Sequence, residues 1–242
     1  MKRRLVLLFA LLLMAGSAMA GRTYVLVAGV SNYQNSDADL PTTTNDAKRI
    51  AKVMQKHSED VSLITSGYAT REKLMSKLRE IASAAGSSDR IMFYFSGHGG
   101  DGYILTYDME PLYYTEMIDI LSSSRAGVKM VFIDACHAGS AITTASGSDR
   151  WREKLVSGNI VFMLASRDEE VSVADNVLVA GWFSHAFLKA ISGKADANSD
   201  RSITVMELFT YVYNDVVNRS KNRQHPQLIA TKEHQGDTVV TW

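Results

Sequence analysis

A cysteine and a histidine each follow an apolar run in this chain, and together they could perform nucleophilic chemistry. Cys136, the single cysteine among 242 residues, follows Met130–Ile133, and His98 follows Ile91–Phe95. A thiol becomes a nucleophile at neutral pH when a nearby base takes its proton. Glycines flank His98 on both sides, which lets a ligand approach the backbone closely. A lone cysteine is more often a small buried hydrophobe, so the pair, rather than the cysteine alone, indicates a catalytic site.

The elements that must carry these two residues are buried strands. Short runs rich in Val, Ile and Phe are typical of strands covered on both faces of a parallel sheet. Because such strands alternate with helical patterns, the chain is predicted to form an α/β fold with a mostly parallel sheet and helices on both faces. Catalytic groups of these sheets collect at the carboxyl ends of strands, where we expect His98 and Cys136 to lie side by side.

The predicted elements are read from hydrophobic periodicity. The predicted strands are Tyr24–Val30, Val61–Thr65, Arg90–Phe95, Val128–Ile133 and Asn159–Ala165, and Thr238–Trp242 is predicted as an edge strand. The predicted helices are Thr44–His57, Arg71–Ala85, Glu116–Ser123, Gly181–Ile191 and Val205–Val217. The Ser- and Thr-rich stretch Ala141–Gly158 is predicted to be a surface loop.

The sequences around the two residues resemble those of caspase-type cysteine peptidases. Residues 96–100 read S-G-H-G-G and residues 134–139 read D-A-C-H-A-G, similar to the metacaspase and bacterial caspase-like branch. True caspases have Gln where this chain has Asp134, and their His-to-Cys separation is about 50 residues, against 38 here. The resemblance runs from Tyr24 to about Gln227. It implies a caspase-like three-layer sandwich with a six-stranded sheet, and a cysteine endopeptidase with a His98/Cys136 dyad.

The two motifs define an expected mechanism. The thiolate of Cys136 attacks a peptide carbonyl, and His98 activates it and protonates the leaving amine. The backbone N–H groups of Cys136 and Gly99 are expected to stabilise the oxyanion, each contributing about 3 kcal/mol. The sequence indicates no third residue that orients His98.

Two carboxylates are candidates for substrate binding. Asp134 lies two residues before Cys136, on the same face of an extended chain. Asp46 lies in an N-D-A element at 45–47; helix capping is sufficient to explain it, but the resemblance implies a place in the primary specificity pocket. Together the two carboxylates would pair with a substrate Arg or Lys, which predicts cleavage after basic residues.

Other functions remain open. A catalytically inactive binding protein of the same fold, or a cysteine-dependent amidase or acyl transferase, would fit parts of the pattern. The resemblance also implies maturation cuts within 141–158, which makes Arg150 and Arg152 candidate self-processing sites. The expected partners are protein or peptide substrates, and we expect a monomer.

Residues 196–207 resemble an EF-hand calcium loop. Asp196, Asn198, Asp200 and Glu207 occupy positions 1, 3, 5 and 12 of the motif. Arg201 stands at position 6, where the motif has Gly; a left-handed turn there costs about 1 kcal/mol, and its cation opposes calcium. The loop is therefore a degenerate candidate calcium site, and the alternative is a polar loop that caps the following helix. The dyad chemistry itself requires no cofactor.

The N-terminus has the pattern of a signal peptide. Lys2–Arg4 precede the apolar stretch Leu5–Ala15, and Ala18–Ala20 is an A-x-A cleavage site. We expect residues 1–20 to be removed, leaving a catalytic domain over 21–242 that is exported, periplasmic or extracellular, and without membrane attachment. That domain has 23 Lys and Arg against 26 Asp and Glu, a charge that argues against nucleic-acid binding. One cysteine allows no intrachain disulfide, and an unpaired thiol in an oxidising compartment favours catalytic use.

Overall fold

The computed structural model describes residues 21–135, 148–166, 174–175 and 180–242. In chain order the strands are β1 Thr23–Gly29, β2 Asp60–Thr65, β3 Arg90–Ser96, β4 Gly99–Gly100, β5 Tyr103–Leu105, β6 Pro111–Tyr113, β7 Val128–Asp134, β8 Ile160–Leu164, β9 Ala174–Asp175, β10 Ala180–Gly181, β11 Ser202–Thr204, β12 Gln227–Ile229 and β13 Thr238–Thr241. The helices are α1 Thr43–Met54, α2 Arg71–Ala84, α3 Tyr114–Ser122, α4 Ser148–Ser157, α5 Trp182–Lys189 and α6 Val205–Arg219. The predicted signal peptide lies outside the described residues.

Six strands form the central sheet in the order β12-β8-β7-β3-β1-β2. The five long strands pair in parallel, and β12 alone runs antiparallel, against β8. The prediction of a mostly parallel six-stranded sheet is therefore confirmed. The hairpin strands β4, β5 and β6 form a separate small sheet directly after the carboxyl end of β3.

Each face of the sheet is covered by helices because alternate strand residues point to opposite sides. On one side, Leu26 and Phe93 belong to a core that includes the buried residues of α2 and α3. On the other, Val25 and Tyr94 join the core formed with α1, α5 and α6. The α/β sandwich with three layers, predicted from the sequence, follows from these two cores.

The predicted surface loop over Ala141–Gly158 is wrong for most of its length, because Ser148–Ser157 form α4. Leu155, only 3% exposed, anchors this helix in the core beside α3, and Lys154 pairs with Asp119 of α3. Among the described side chains of α4, only Leu155 is buried, so the hydrophobic pattern of this helix is weak, which explains the error. The candidate processing sites Arg150 and Arg152 lie in α4, and residues 141–147 lie outside the described residues.

The last strand also differs from expectation. β13 is not at the edge of the central sheet but pairs antiparallel with β11, placing Val240 opposite Ile203. Its Val239 and Val240 are buried in the core on the α6 side of the sheet, which accounts for the position. Among the helices of the described ranges, none combines the length and apolarity needed to cross a bilayer.

Gly29 offers a test of the packing between β1 and α1. A Cβ at this residue would lie 2.6 Å from Ala47 Cβ and 2.6 Å from the Thr43 carbonyl oxygen. We expect Gly29→Ala to lower the free energy of unfolding by about 1–3 kcal/mol through overpacking, measured by urea denaturation. Gly236→Ala is the matched control, because its Cβ would meet no described atom within 4 Å. Equal stability of both variants would contradict the close packing.

Candidate active site

His98 lies at the carboxyl end of the sheet, two residues after β3. Its Nε2 is 2.8 Å from the carbonyl oxygen of Ala38, in the loop between β1 and α1. A carbonyl oxygen only accepts hydrogen bonds, so in the neutral imidazole Nε2 carries the proton and Nδ1 carries the lone pair. The group that orients the His98 ring is thus the backbone carbonyl of Ala38. The sequence could not indicate it, because every residue has a backbone carbonyl.

The backbone of His98 is held by a second residue of the same loop. The His98 N–H donates to the hydroxyl of Tyr33 at 2.7 Å, and the two rings lie 5.1 Å apart at 43°. Gly97 makes room for this contact, since a Cβ there would lie 2.8 Å from the Tyr33 oxygen and 2.7 Å from Phe95. Only glycine fits between the strand and the loop.

Cys136 lies outside the described residues, which reach Ala135 on that side. Its strand is nevertheless placed: β7 pairs with β3 so that Asp134 lies opposite Ser96, and the Gly97 N–H donates to the Asp134 carbonyl at 3.1 Å. The strand that carries His98 and the strand that leads to Cys136 are therefore direct neighbours that end at the same level. The catalytic role of the pair remains a prediction.

Gly99 is placed so that its N–H faces away from the hairpin. Leu105 N donates to the His98 carbonyl at 2.9 Å, and Gly99 lies opposite Ile104. Because hydrogen-bonded and non-hydrogen-bonded pairs alternate in antiparallel strands, the Gly99–Ile104 pair is a non-hydrogen-bonded one. The orientation suits the predicted oxyanion donor, a role that no contact in the structure tests.

Asp134 is buried against the start of α5. Asp134 is only 5% exposed. Its Oδ2 accepts hydrogen bonds from Ser184 N at 3.1 Å and from Ser184 Oγ at 2.5 Å. The Ser184 hydroxyl also lies 2.5 Å from the hydroxyl of Tyr94, which is fully buried. Free N–H groups and the dipole at a helix N-terminus stabilise a carboxylate. Neither Ser184 nor Tyr94 was expected here, because aromatic and small residues of these segments read as core.

Asp46 reaches the same helix end. It does not cap α1, because the N-cap residue is Thr42; instead its Oδ2 accepts from Gly181 N at 3.2 Å. The pKa of Asp46 is raised to about 7 in total: burial is the largest cause and the charge of Asp134 adds to it, while the Gly181 N–H, Arg49 and Thr42 act in the opposite direction. Burial and the two carboxylates likewise raise the pKa of Tyr94. The structure thus brings the two predicted substrate-binding carboxylates together.

The loop 196–207 lies at the opposite, amino-terminal edge of the sheet, since Thr204 pairs with Thr238 beside the start of β3. Asp196 accepts from the N–H groups of Asp200 and Arg201 at 3.2 and 3.1 Å. Glu207 accepts from Thr204 N at 2.9 Å in a capping box at the start of α6.

The loop therefore performs the capping role that the sequence left as the alternative. Arg201 takes a left-handed φ of 65°, where the EF-hand motif has Gly. Within the described ranges, no group of three or more His, Cys, Asp or Glu side chains is placed to share a metal ion. Calcium binding remains a prediction from the loop sequence, and no step of the chemistry involves it.

The pKa of Asp46 has a consequence for stability. Between pH values of about 4 and 7 the unfolded chain releases this proton while the folded protein keeps it, so the free energy of unfolding falls as pH rises. We expect Asp46→Asn to be more stable than wild type by an amount that grows from pH 5 to pH 8 and reaches about 4 kcal/mol at most. Urea denaturation across this range measures it, with the exposed Asp101→Asn as control; parallel pH profiles for Asp46→Asn and wild type would contradict it.

Comparison with known proteins identifies the family. The model of the caspase domain, peptidase family C14, matches residues 22–235. Metacaspase-1 of Schizosaccharomyces pombe is 27% identical over 154 residues, 52% of this chain and 36% of that protein. Metacaspase-1A of Neurospora crassa is 25% identical over 154 residues, 52% of this chain and 34% of that protein. The match therefore spans about a third of the length of these relatives.

Solved structures agree on the fold. A crystal structure of a Geobacter sulfurreducens protein superposes with a TM-score of 0.67 at 17% identity, covering 89% of this chain and 97% of that one. Caspase-1 from Spodoptera frugiperda superposes with a TM-score of 0.66 at 14% identity, covering 87% of both chains. With a caspase fold and a family match over nearly its whole length, the chain belongs to the caspase-domain family of cysteine peptidases.

Proposed function

We propose that this protein is a cysteine endopeptidase that uses Cys136 as nucleophile and His98 as its proton carrier, and that it cleaves after Arg or Lys. One observation supports this most directly. The imidazole of His98 is held by the Ala38 carbonyl, 2.8 Å away, at the carboxyl end of β3 and beside the strand that leads to Cys136.

The proposed reaction follows from this tautomer. Nδ1 of His98 takes the thiol proton, and the Cys136 thiolate adds to the carbonyl carbon of the scissile bond. The N–H groups of Gly99 and Cys136 donate to the resulting oxyanion. The C–N bond then breaks as His98 protonates the amine, and water hydrolyses the thioester. The Ala38 carbonyl stabilises the imidazolium, because its oxygen faces the Nε2–H that shares the positive charge.

Specificity for basic residues is supported by the two buried carboxylates. Asp46 and Asp134 are 3% and 5% exposed, and the charge of Asp134 raises the pKa of Asp46. A guanidinium or ammonium group of a substrate would relieve this repulsion. A substrate Asp at the same position would add a third negative charge.

Two further expectations accompany this function. The mechanism uses no cofactor, and calcium at Asp196–Glu207 would act away from the dyad. Equilibrium dialysis measures whether the loop binds calcium, with Asp196→Ala as the control variant.

Export is tested by N-terminal sequencing of protein recovered outside the cytoplasm, for which we expect Gly21 as the first residue.

A fluorogenic peptide panel tests the activity and its specificity. We expect hydrolysis after Arg and Lys, none after Asp, and complete loss in Cys136→Ala. Asp134→Asn should lower kcat/KM for Arg substrates by about 10-fold or more, because a charge-assisted contact is removed, whereas Asp101→Asn should not. Preference for Asp would contradict the specificity. Labelling of Cys136 by an arginyl chloromethyl ketone without turnover of any peptide would instead favour an inactive binding protein or an acyl transferase.

Ligand binding isolates the pocket from catalysis. In Cys136→Ala, we expect the affinity for arginine amide to rise from pH 6 to pH 8, because Asp46, with a pKa of about 7, becomes ionised over this range. Isothermal titration calorimetry at several pH values measures the change. Adding Asp46→Asn should flatten the profile. An equally steep profile without Asp46 would show that another group is responsible.

A further inference from the structure

We propose that Tyr33 is a positioning residue for His98 and that Asp39 holds Tyr33 in place by closing the loop between β1 and α1. The expected effect on kcat rests on the proposed function. The expected effect on the orientation and tautomer of the His98 ring does not.

The hydroxyl of Tyr33 is inserted into the hairpin that carries His98. His98 and Leu105 face each other, and one of their two backbone bonds is direct, from Leu105 N to the His98 carbonyl at 2.9 Å. The other passes through Tyr33, which accepts from His98 N at 2.7 Å and donates to the Leu105 carbonyl at 3.5 Å. The distance between His98 N and the Leu105 carbonyl is thus set by one phenolic oxygen.

The carboxylate of Asp39 fixes the loop that carries Tyr33. Its Oδ1 accepts from Tyr33 N at 2.8 Å and its Oδ2 accepts from Asn32 Nδ2 at 3.1 Å. Leu40 N closes the same loop by donating to the Ser31 carbonyl at 2.7 Å. Asp39 directly follows Ala38, so one carboxylate fixes both ends of the loop segment whose hydroxyl and carbonyl contact His98.

These contacts act on different parts of the histidine. Tyr33 fixes the backbone and flanks the ring, with centroids 5.1 Å apart, while Ala38 fixes Nε2 at 2.8 Å. If the hydroxyl is removed, His98 N–H and the Leu105 carbonyl can pair directly, which draws the histidine toward β5 and away from Ala38. The imidazole then loses the bond that sets its tautomer, and Nδ1 no longer presents its lone pair in a fixed direction.

Two variants test the assignment by kinetics. We expect Tyr33→Phe and Asp39→Asn each to lower kcat for an Arg substrate by about 10-fold or more, since small displacements of a catalytic group carry costs of this size. KM should change by less than about 2-fold, and the acidic limb of the kcat/KM pH profile should move. The matched controls are Tyr68→Phe, an 80% exposed tyrosine, and Asp37→Asn, in the same loop; both should retain wild-type kcat. If Tyr33→Phe does not fold, Asp39→Asn, a substitution at an exposed residue, tests the assignment instead.

A second measurement does not need activity. NMR of 15N-histidine protein reports the tautomer of each of the six histidines, and His98→Gln identifies the His98 signals. We expect the Nε2–H form in wild type and in both controls, and a mixture of tautomers in Tyr33→Phe and Asp39→Asn. Unchanged tautomer and unchanged kcat in both variants overturn the proposal. If wild type hydrolyses no peptide but the tautomer still changes, the proposed function fails and the positioning role stands.

Discussion

Burial of two carboxylates beside each other is the constraint on which this end of the molecule depends. Transfer of a charged group from water into a protein is costly unless hydrogen bonds compensate. Here the compensation comes from the first N–H groups of α5, which have no partner within their own helix: Gly181 N for Asp46 and Ser184 N for Asp134. The end of β7, the first turn of α1 and the start of α5 must therefore meet at one place. Gly181 is required there, since a Cβ would lie 2.7 Å from Asp134 Oδ2.

The pairing of polar side chains differs between the two edges of the sheet. At the amino-terminal edge, the ring nitrogens of His234 lie 2.6 Å from Asp237 Oδ2 and 3.2 Å from Asn159 Oδ1, so this imidazole is matched with a carboxylate of the same chain. At the carboxyl edge, two acids face one helix end and one of them holds its proton to about pH 7. Buried like-charged groups that destabilise a fold are typical of functional sites, where a bound ligand of opposite charge offsets their repulsion. This asymmetry, rather than the presence of acids alone, supports the proposal that the carboxyl edge is the functional one.

The sequence predicts the elements better than the contacts between them. Parallel strands and long amphipathic helices have strong periods, and His98, Asp46 and Asp134 are recognisable as unusual residue types at strand or helix ends. The helix α4 was not predicted because only Leu155 among its described side chains is buried. The contact of Ala38 with His98 was not predicted because it is made by a backbone carbonyl, which every residue has. For Asp46 the motif left two interpretations: the contact with Gly181 N argues against helix capping, and the place in a specificity pocket stays a prediction.

The loop after β1 connects the two halves of the site. It contacts His98 through Tyr33 and Ala38, and it then continues into α1, whose first turn carries Asp46. Its two ends are joined where Thr43 Oγ1 donates to the Val30 carbonyl at 2.5 Å and Thr44 N donates to Ser31 Oγ at 2.9 Å. A shift of α1 against β1 therefore moves Asp46 and the support of the His98 imidazole together. Close packing at Gly29 resists that shift, so this glycine helps to keep Asp46 and His98 in register.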